Sequence, residues 1–137
     1  MKILSYSFFA VIILASCNKD DPAPTATIKV NPVNTVTNAV DGDIVGNGGS
    51  SSKTFTWPNT KATADYNMDM TVSVGGKFQM IIKDAAGVVV LDYTLVKGQT
   101  PDSKSGVTAT GTPGTWTIII NVTNFNGSGS YDLSRGT

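Results

Sequence analysis

From Thr115 to Asn124 the chain reads TWTIIINVTN, with Trp116, Ile118, Ile120 and Val122 on every second position. A period of two places all four side chains on one face of an extended strand, whereas a helix would scatter them around its circumference. Met68 to Val74 repeats the pattern, apolar residues alternating with Asp69, Thr71 and Ser73. No stretch after Cys17 carries helical periodicity with caps. A chain so patterned has to bury strand faces against one another, because it has no helices to cover a sheet.

The punctuation between these runs fixes the local connections. Gly75-Gly76 predicts a turn from the Met68 strand into a partner over Phe78 to Lys83. Asp84-Ala85-Ala86-Gly87 predicts a second turn, with glycine where a positive φ is needed, into a strand over Val88 to Leu95. Lys97 to Gly114 reads as a long polar connection with room for one short strand near Gly106 to Thr110. Gly46 to Ser52 (GNGGSSS) reads as a loop, and Asn126-Gly127-Ser128-Gly129 as a turn leading into Tyr131 and Leu133. On that reading Trp116 and Tyr131 meet in the core on neighbouring strands. From Thr27 to Val45 the apolar residues are β-branched but irregular and interrupted by Pro32, which predicts short edge strands. The expected fold is all-β: an antiparallel two-sheet β-sandwich of about eight strands, jelly-roll or immunoglobulin-like, with a small barrel as the alternative.

With 137 residues, net charge zero, 40% apolar and 15% charged residues, the chain has the means for one core and no basic field for nucleic acid. Every acidic residue is Asp, the bases are lysines plus Arg135, and histidine is absent. A Ser-His-Asp triad and a histidine zinc site are therefore excluded, and one cysteine makes neither a thiolate cluster nor an internal disulfide. Ser50-x-x-Lys53 lies in a Gly-Ser segment without the companion motifs of penicillin-recognising enzymes. The expectation is a protein that is not an enzyme, with no cofactor other than an oxygen-liganded calcium ion.

The head of the chain points to export. Lys2 precedes an apolar run, Ile3 to Leu14, too short and too interrupted by Ser5 and Ser7 to span a bilayer. Leu14-Ala15-Ser16-Cys17 resembles, at all four positions, the lipobox of bacterial lipoproteins. The resemblance implies that residues 1–16 are a signal peptide, that the Cys17 thiol receives a diacylglyceryl group, and that the protein reaches the membrane through this lipid. Two or more acyl chains anchor stably, each buried methylene contributing about 0.8 kcal/mol. Asn18-Lys19-Asp20-Asp21 resembles the Lys/Asp-rich signals of lipoproteins displayed on the outer face of the outer membrane. Residues 17–26, with Pro22 and Pro24, read as a lipidated tether, and 27–137 as the β-sandwich domain.

FQMIIKDAAGVVV and TPGTWTIIINVTNFNGSGSYDLS resemble the small sandwich domains of the pre-peptidase C-terminal type, and more distantly CUB-like sandwiches, over about Thr54 to Ser134. That resemblance implies a non-catalytic appended module. Two sets of candidate ligand residues stand out. Asp41, Asp43 and Asn47 in DGDIVGNGG offer three oxygen side chains to a calcium ion, against the reading of a solvated turn. Trp57 and Tyr66 flank a polar loop and offer rings to a sugar face, against core filling, which the shared strand face of Phe55 and Trp57 favours. Two functions follow as expectations. One is an adhesion or glycan-binding lipoprotein whose partner is an extracellular glycan or surface protein. The other is a structural lipoprotein docking on another membrane protein through a sheet face or edge.

Overall fold

The computed structural model describes residues 21–96, 98 and 101–137. They form seven strands and no helix: β1 (Ala26–Ile28), β2 (Val40–Asn59), β3 (Ala64–Val72), β4 (Lys77–Lys83), β5 (Val89–Val96), β6 (Ser103–Val107) and β7 (Gly114–Arg135). All pairings are antiparallel, and all seven strands belong to one hydrogen-bonded sheet.

β2 and β7, 20 and 22 residues long, pair along their whole length and bend together at the middle. On one side of the bend the order is β1, the first half of β2, the second half of β7, β3, β6; on the other it is the second half of β2, the first half of β7, β4, β5. The bend has a local cause. β2 carries register shifts between Asn47 and Gly49 and between Gly49 and Ser51, and Gly48 has φ 101°. Extra residues of this kind kink a strand and deepen its twist. Opposite them Asn124 adopts φ 47°, a conformation asparagine tolerates, and its N–H donates to Ser50 Oγ at 3.0 Å. The β3–β4 turn at Gly75-Gly76, with φ 56° and 95°, crosses over the same place. A Cβ on Gly76 would strike the Asn124 carbonyl.

Two expected breaks are therefore continuous strand. Gly46 to Ser52 is not a loop but the kinked middle of β2, and Asn126 to Gly129 is not a turn but part of β7. Glycine serves close approach there: a Cβ on Gly46 would run into the Phe125 carbonyl, and one on Gly127 into the Thr71 carbonyl. Trp116 and Tyr131 consequently lie in different halves of one strand, not on hairpin neighbours. Trp116 instead faces Trp57 across the β2–β7 pairing, edge to face with ring centroids 6.2 Å apart. Such a pair adds about 0.5–1.5 kcal/mol to what burial provides. Phe55 and Tyr131, 6.4 Å apart, join the two halves, and the buried residues of both form one cluster.

The local turns follow the sequence reading. Gly87 has φ 82° and its N–H donates to the Asp84 carbonyl at 3.0 Å. Asp84 is itself 5% exposed, and its carboxylate accepts from Ala86 N (3.0 Å), Val88 N (2.8 Å) and Thr112 N (2.7 Å). It ties the β4–β5 turn to the connection before β7. The Thr112 N–H bond, chiefly, and then those from Val88 and Ala86 hold its carboxyl below the ordinary Asp value, against the opposing effect of burial.

Candidate functional site

An open hollow lies on the outward face of the half containing β1, β3 and β6. Alternation decides what lines it. Inward positions carry Val40 and Ile44 on β2, Met68 and Met70 on β3, Tyr131 and Leu133 on β7, all buried. The intervening residues face outward, and register assembles them into cross-strand rows. Thr27 pairs with Val45, Val45 with Ser128, and Ser128 with Thr71. In the next row Asp43 pairs with Ser130 and Ser130 with Asp69. The trough over these two rows has a volume of about 660 Å³, and Lys29 closes one side of it.

Its chemistry is that of hydroxyls, carboxylates and one ammonium above a partly apolar floor. Lys29 Nζ stands 3.9 Å from Asp43 Oδ2, both side chains largely in water. A pair so exposed is worth at most about 1 kcal/mol, so a ligand separates it at little cost. Beside the trough, Asp41 accepts from Asn31 Nδ2 at 2.6 Å and Asp132 from Asn67 Nδ2 at 3.2 Å. Beneath it the Tyr131 hydroxyl donates to the Lys29 carbonyl at 3.0 Å, passing where a Cβ on Gly42 would block it. Burial first, and then the charges of Asp41 and Asp43, push the Tyr131 phenol up, so it remains a neutral donor.

The residues picked out from sequence fall elsewhere. Asp41, Asp43 and Asn47 sit on β2, a regular strand up to that point, and not in a loop. Four residues of strand separate Asp43 from Asn47 by about 13 Å, far beyond what one cation bound at about 2.3–2.6 Å spans. Asn47 Oδ1 is occupied by the Thr25 backbone and hydroxyl, and Asp43 stands beside Lys29. Among the described residues no three His, Cys, Asp or Glu side chains are grouped to hold a metal ion. The shared calcium site is thus not formed.

Trp57 is completely buried and Tyr66 is 7% exposed, so the two rings offered as sugar-stacking candidates are core residues, the alternative that the shared strand face of Phe55 and Trp57 favours. The Trp57 indole N–H donates to the Asn38 carbonyl at 2.8 Å, and the Asn38 amide in turn donates to Pro58 O. The loop before β2 therefore covers the ring. Cys17, with the signal peptide, lies outside the described residues. No helix among the described residues is long and apolar enough to cross a membrane.

Sequence reasoning missed Thr27, Lys29, Thr71, Ser128 and Ser130. A signal existed in the polar positions of the alternating β3, but which polar positions on β2 and β7 join them depends on register between residues 57 to 87 apart in the chain, from Thr71 with Ser128 to Asp43 with Ser130.

No protein-family model matches this chain, and no curated protein sequence matches it. Among solved structures it is similar to TmCBM61, determined in complex with β-1,4-galactotriose. The TM-score is 0.49 at 14% identity, covering 84% of this chain and 90% of that one.

Proposed function

We propose that this protein is a non-catalytic glycan-binding module, held at the outer membrane by lipid on Cys17 with its folded part facing outward, and that the trough over β1, β2, β7 and β3 is where the glycan sits. On this reading the doubled-over sheet works as a β-sandwich whose outward face presents the site. The observation that carries the proposal is the lining. Hydroxyls of Thr27, Thr71, Ser128 and Ser130 and carboxylates of Asp43 and Asp69 stand around the exposed Val45 side chain. A pyranose matches that arrangement, with C–H faces for the apolar floor and hydroxyls that donate to carboxylates and accept from side-chain O–H groups. Specificity then rests on hydrogen bonds rather than ring stacking.

Docking through a strand edge is the weaker reading. Two of the sheet's edges are guarded: the outer edge of β2 beyond its kink carries Lys53 and Pro58, and the five-residue β6 carries Lys104, whereas the eight-residue edge strand β5 carries Asp92 as its charge. Lysine, proline and short length are the means by which sheet edges resist strand addition. A glycan array probed with the wild-type chain, Asp69→Asn and Ser128→Leu tests the proposal. Binding by the wild type that both variants lose supports it. A wild type that binds nothing, or variants that bind unchanged, overturns it. Mass spectrometry of the mature chain tests the anchor, which requires a diacylglyceryl-modified Cys17 at the N-terminus.

A further inference from the structure

The half containing β4 and β5 has an outward face of its own, and four side chains on β2, β7, β4 and β5 are joined across it by hydrogen bonds. Ser52 Oγ donates to Asn121 Oδ1 at 2.7 Å, Asn121 Nδ2 to Gln79 Oε1 at 3.3 Å, and Gln79 Nε2 to Asp92 Oδ1 at 2.8 Å. Asp92 fixes the direction of this relay. An ionised carboxylate only accepts, so Gln79 must turn its NH₂ toward Asp92 and its carbonyl toward Asn121. Asn121 must then donate to that carbonyl and accept from Ser52. Both amide carbonyls are occupied by this order. What each amide still has to offer is its second N–H.

A hollow of about 470 Å³ lies over these amides, bordered by Ser50, Ser52, Thr123 and Lys77. Lys77 pairs with Thr123 in the adjacent row, and no carboxylate lines the hollow. Asp92 belongs to the row on the far side of Gln79, opposite Ile81. The site therefore holds two amide donors already oriented, an ammonium and hydroxyls. It is the reverse of the carboxylate-bearing trough on the other half.

We infer that this hollow is a second binding site, distinct from the proposed glycan trough, and that it receives an oxyanion, a carboxylate or sulfate group, between Lys77 and the N–H groups of Asn121 and Gln79. Charge-assisted hydrogen bonds of this kind are about twice as strong as neutral ones. The anion completes the relay that Asp92 orients, because it accepts the N–H groups the relay leaves over. The inference does not depend on the trough binding sugar.

NMR titration of the full chain tests it, using sodium glucuronate and sodium sulfate as probes and glucose as the neutral control. Both anions are expected to move the side-chain NH₂ resonances of Asn121 and Gln79, and glucose to leave them in place. Lys77→Gln, an exposed change that leaves the fold alone, is expected to weaken glucuronate binding about tenfold, the equivalent of one charged hydrogen bond. Asn121→Asp, which replaces a donor with an acceptor beside the Gln79 carbonyl, is expected to abolish it in a chain whose backbone amide dispersion shows it still folded. Lys83→Gln, on the same strand but outside the hollow, is expected to change nothing. The inference fails if neither anion moves those resonances, if glucose moves them equally, or if Lys77→Gln binds like the wild type.

Discussion

Replacing Trp57 by phenylalanine separates its structural part from the sugar-stacking role its sequence context suggests. The indole N–H bonds the Asn38 carbonyl at 2.8 Å in a fully buried setting, and phenylalanine leaves that carbonyl without its donor. An unpaired buried polar group costs about 1–3 kcal/mol. The edge-to-face contact with Trp116 is partly lost, from a total of about 0.5–1.5 kcal/mol, and the missing ring leaves a small void at about 24 cal/mol per Å³. Together these give about 2–4 kcal/mol. For a folded part of this size each kcal/mol lowers Tm by about 4 °C, so Trp57→Phe should melt about 8–16 °C below the wild type. Circular dichroism melts and urea titrations measure this, and glycan binding measured well below the melting point should equal that of the wild type. A variant that melts within about 2 °C of the wild type yet loses binding would refute the reasoning, because only an exposed, ligand-contacting ring behaves so.

Three further outcomes follow from the same geometry. Asp84 is held below its ordinary value of 3.8 in the fold, so its contribution is present above that pH and lost as pH falls through the lower folded value. Asp84→Asn should be less stable than the wild type at neutral pH, with the gap closing on acidification; urea midpoints that stay parallel at every pH would contradict this. Gly127→Ala adds a Cβ that strikes the Thr71 carbonyl at φ 151°, whereas Gly87→Ala at φ 82° meets nothing within 4 Å. Each left-handed position costs about 1–3 kcal/mol, so the Gly127 variant should be the less stable of the two in paired denaturation curves, and equal losses would remove the close-approach explanation. Tyr131→Phe deletes the 3.0 Å bond to the Lys29 carbonyl and should cost about 1 kcal/mol by the same measurement; an unchanged midpoint would contradict this.

What the sequence disclosed was decided by local chemistry. The alternation in Met68 to Val72 and Trp116 to Val122 marks strands whatever surrounds them, and the Gly75-Gly76 and Asp84 to Gly87 turns are set by their own four residues. Gly46 to Ser52 and Asn126 to Gly129 misled because glycine meets two requirements, a turn or a close crossing. Only the partner, Phe125 beside Gly46 and Thr71 beside Gly127, tells which applies. The rings of Trp57 and Tyr66 were visible as sugar-binding candidates, but their burial is set by a loop and a strand far along the chain. The trough was hidden for the same reason: Asp43, Ser130 and Asp69 become neighbours only through long-range register.

Chemical-shift mapping with the strongest saccharide found on the array tests the central claim most directly. The account predicts perturbations concentrated on Thr27, Asp43, Thr71, Ser128 and Ser130, with little change at Trp57 or Tyr66. Perturbations centred on any other face of the sheet would contradict it.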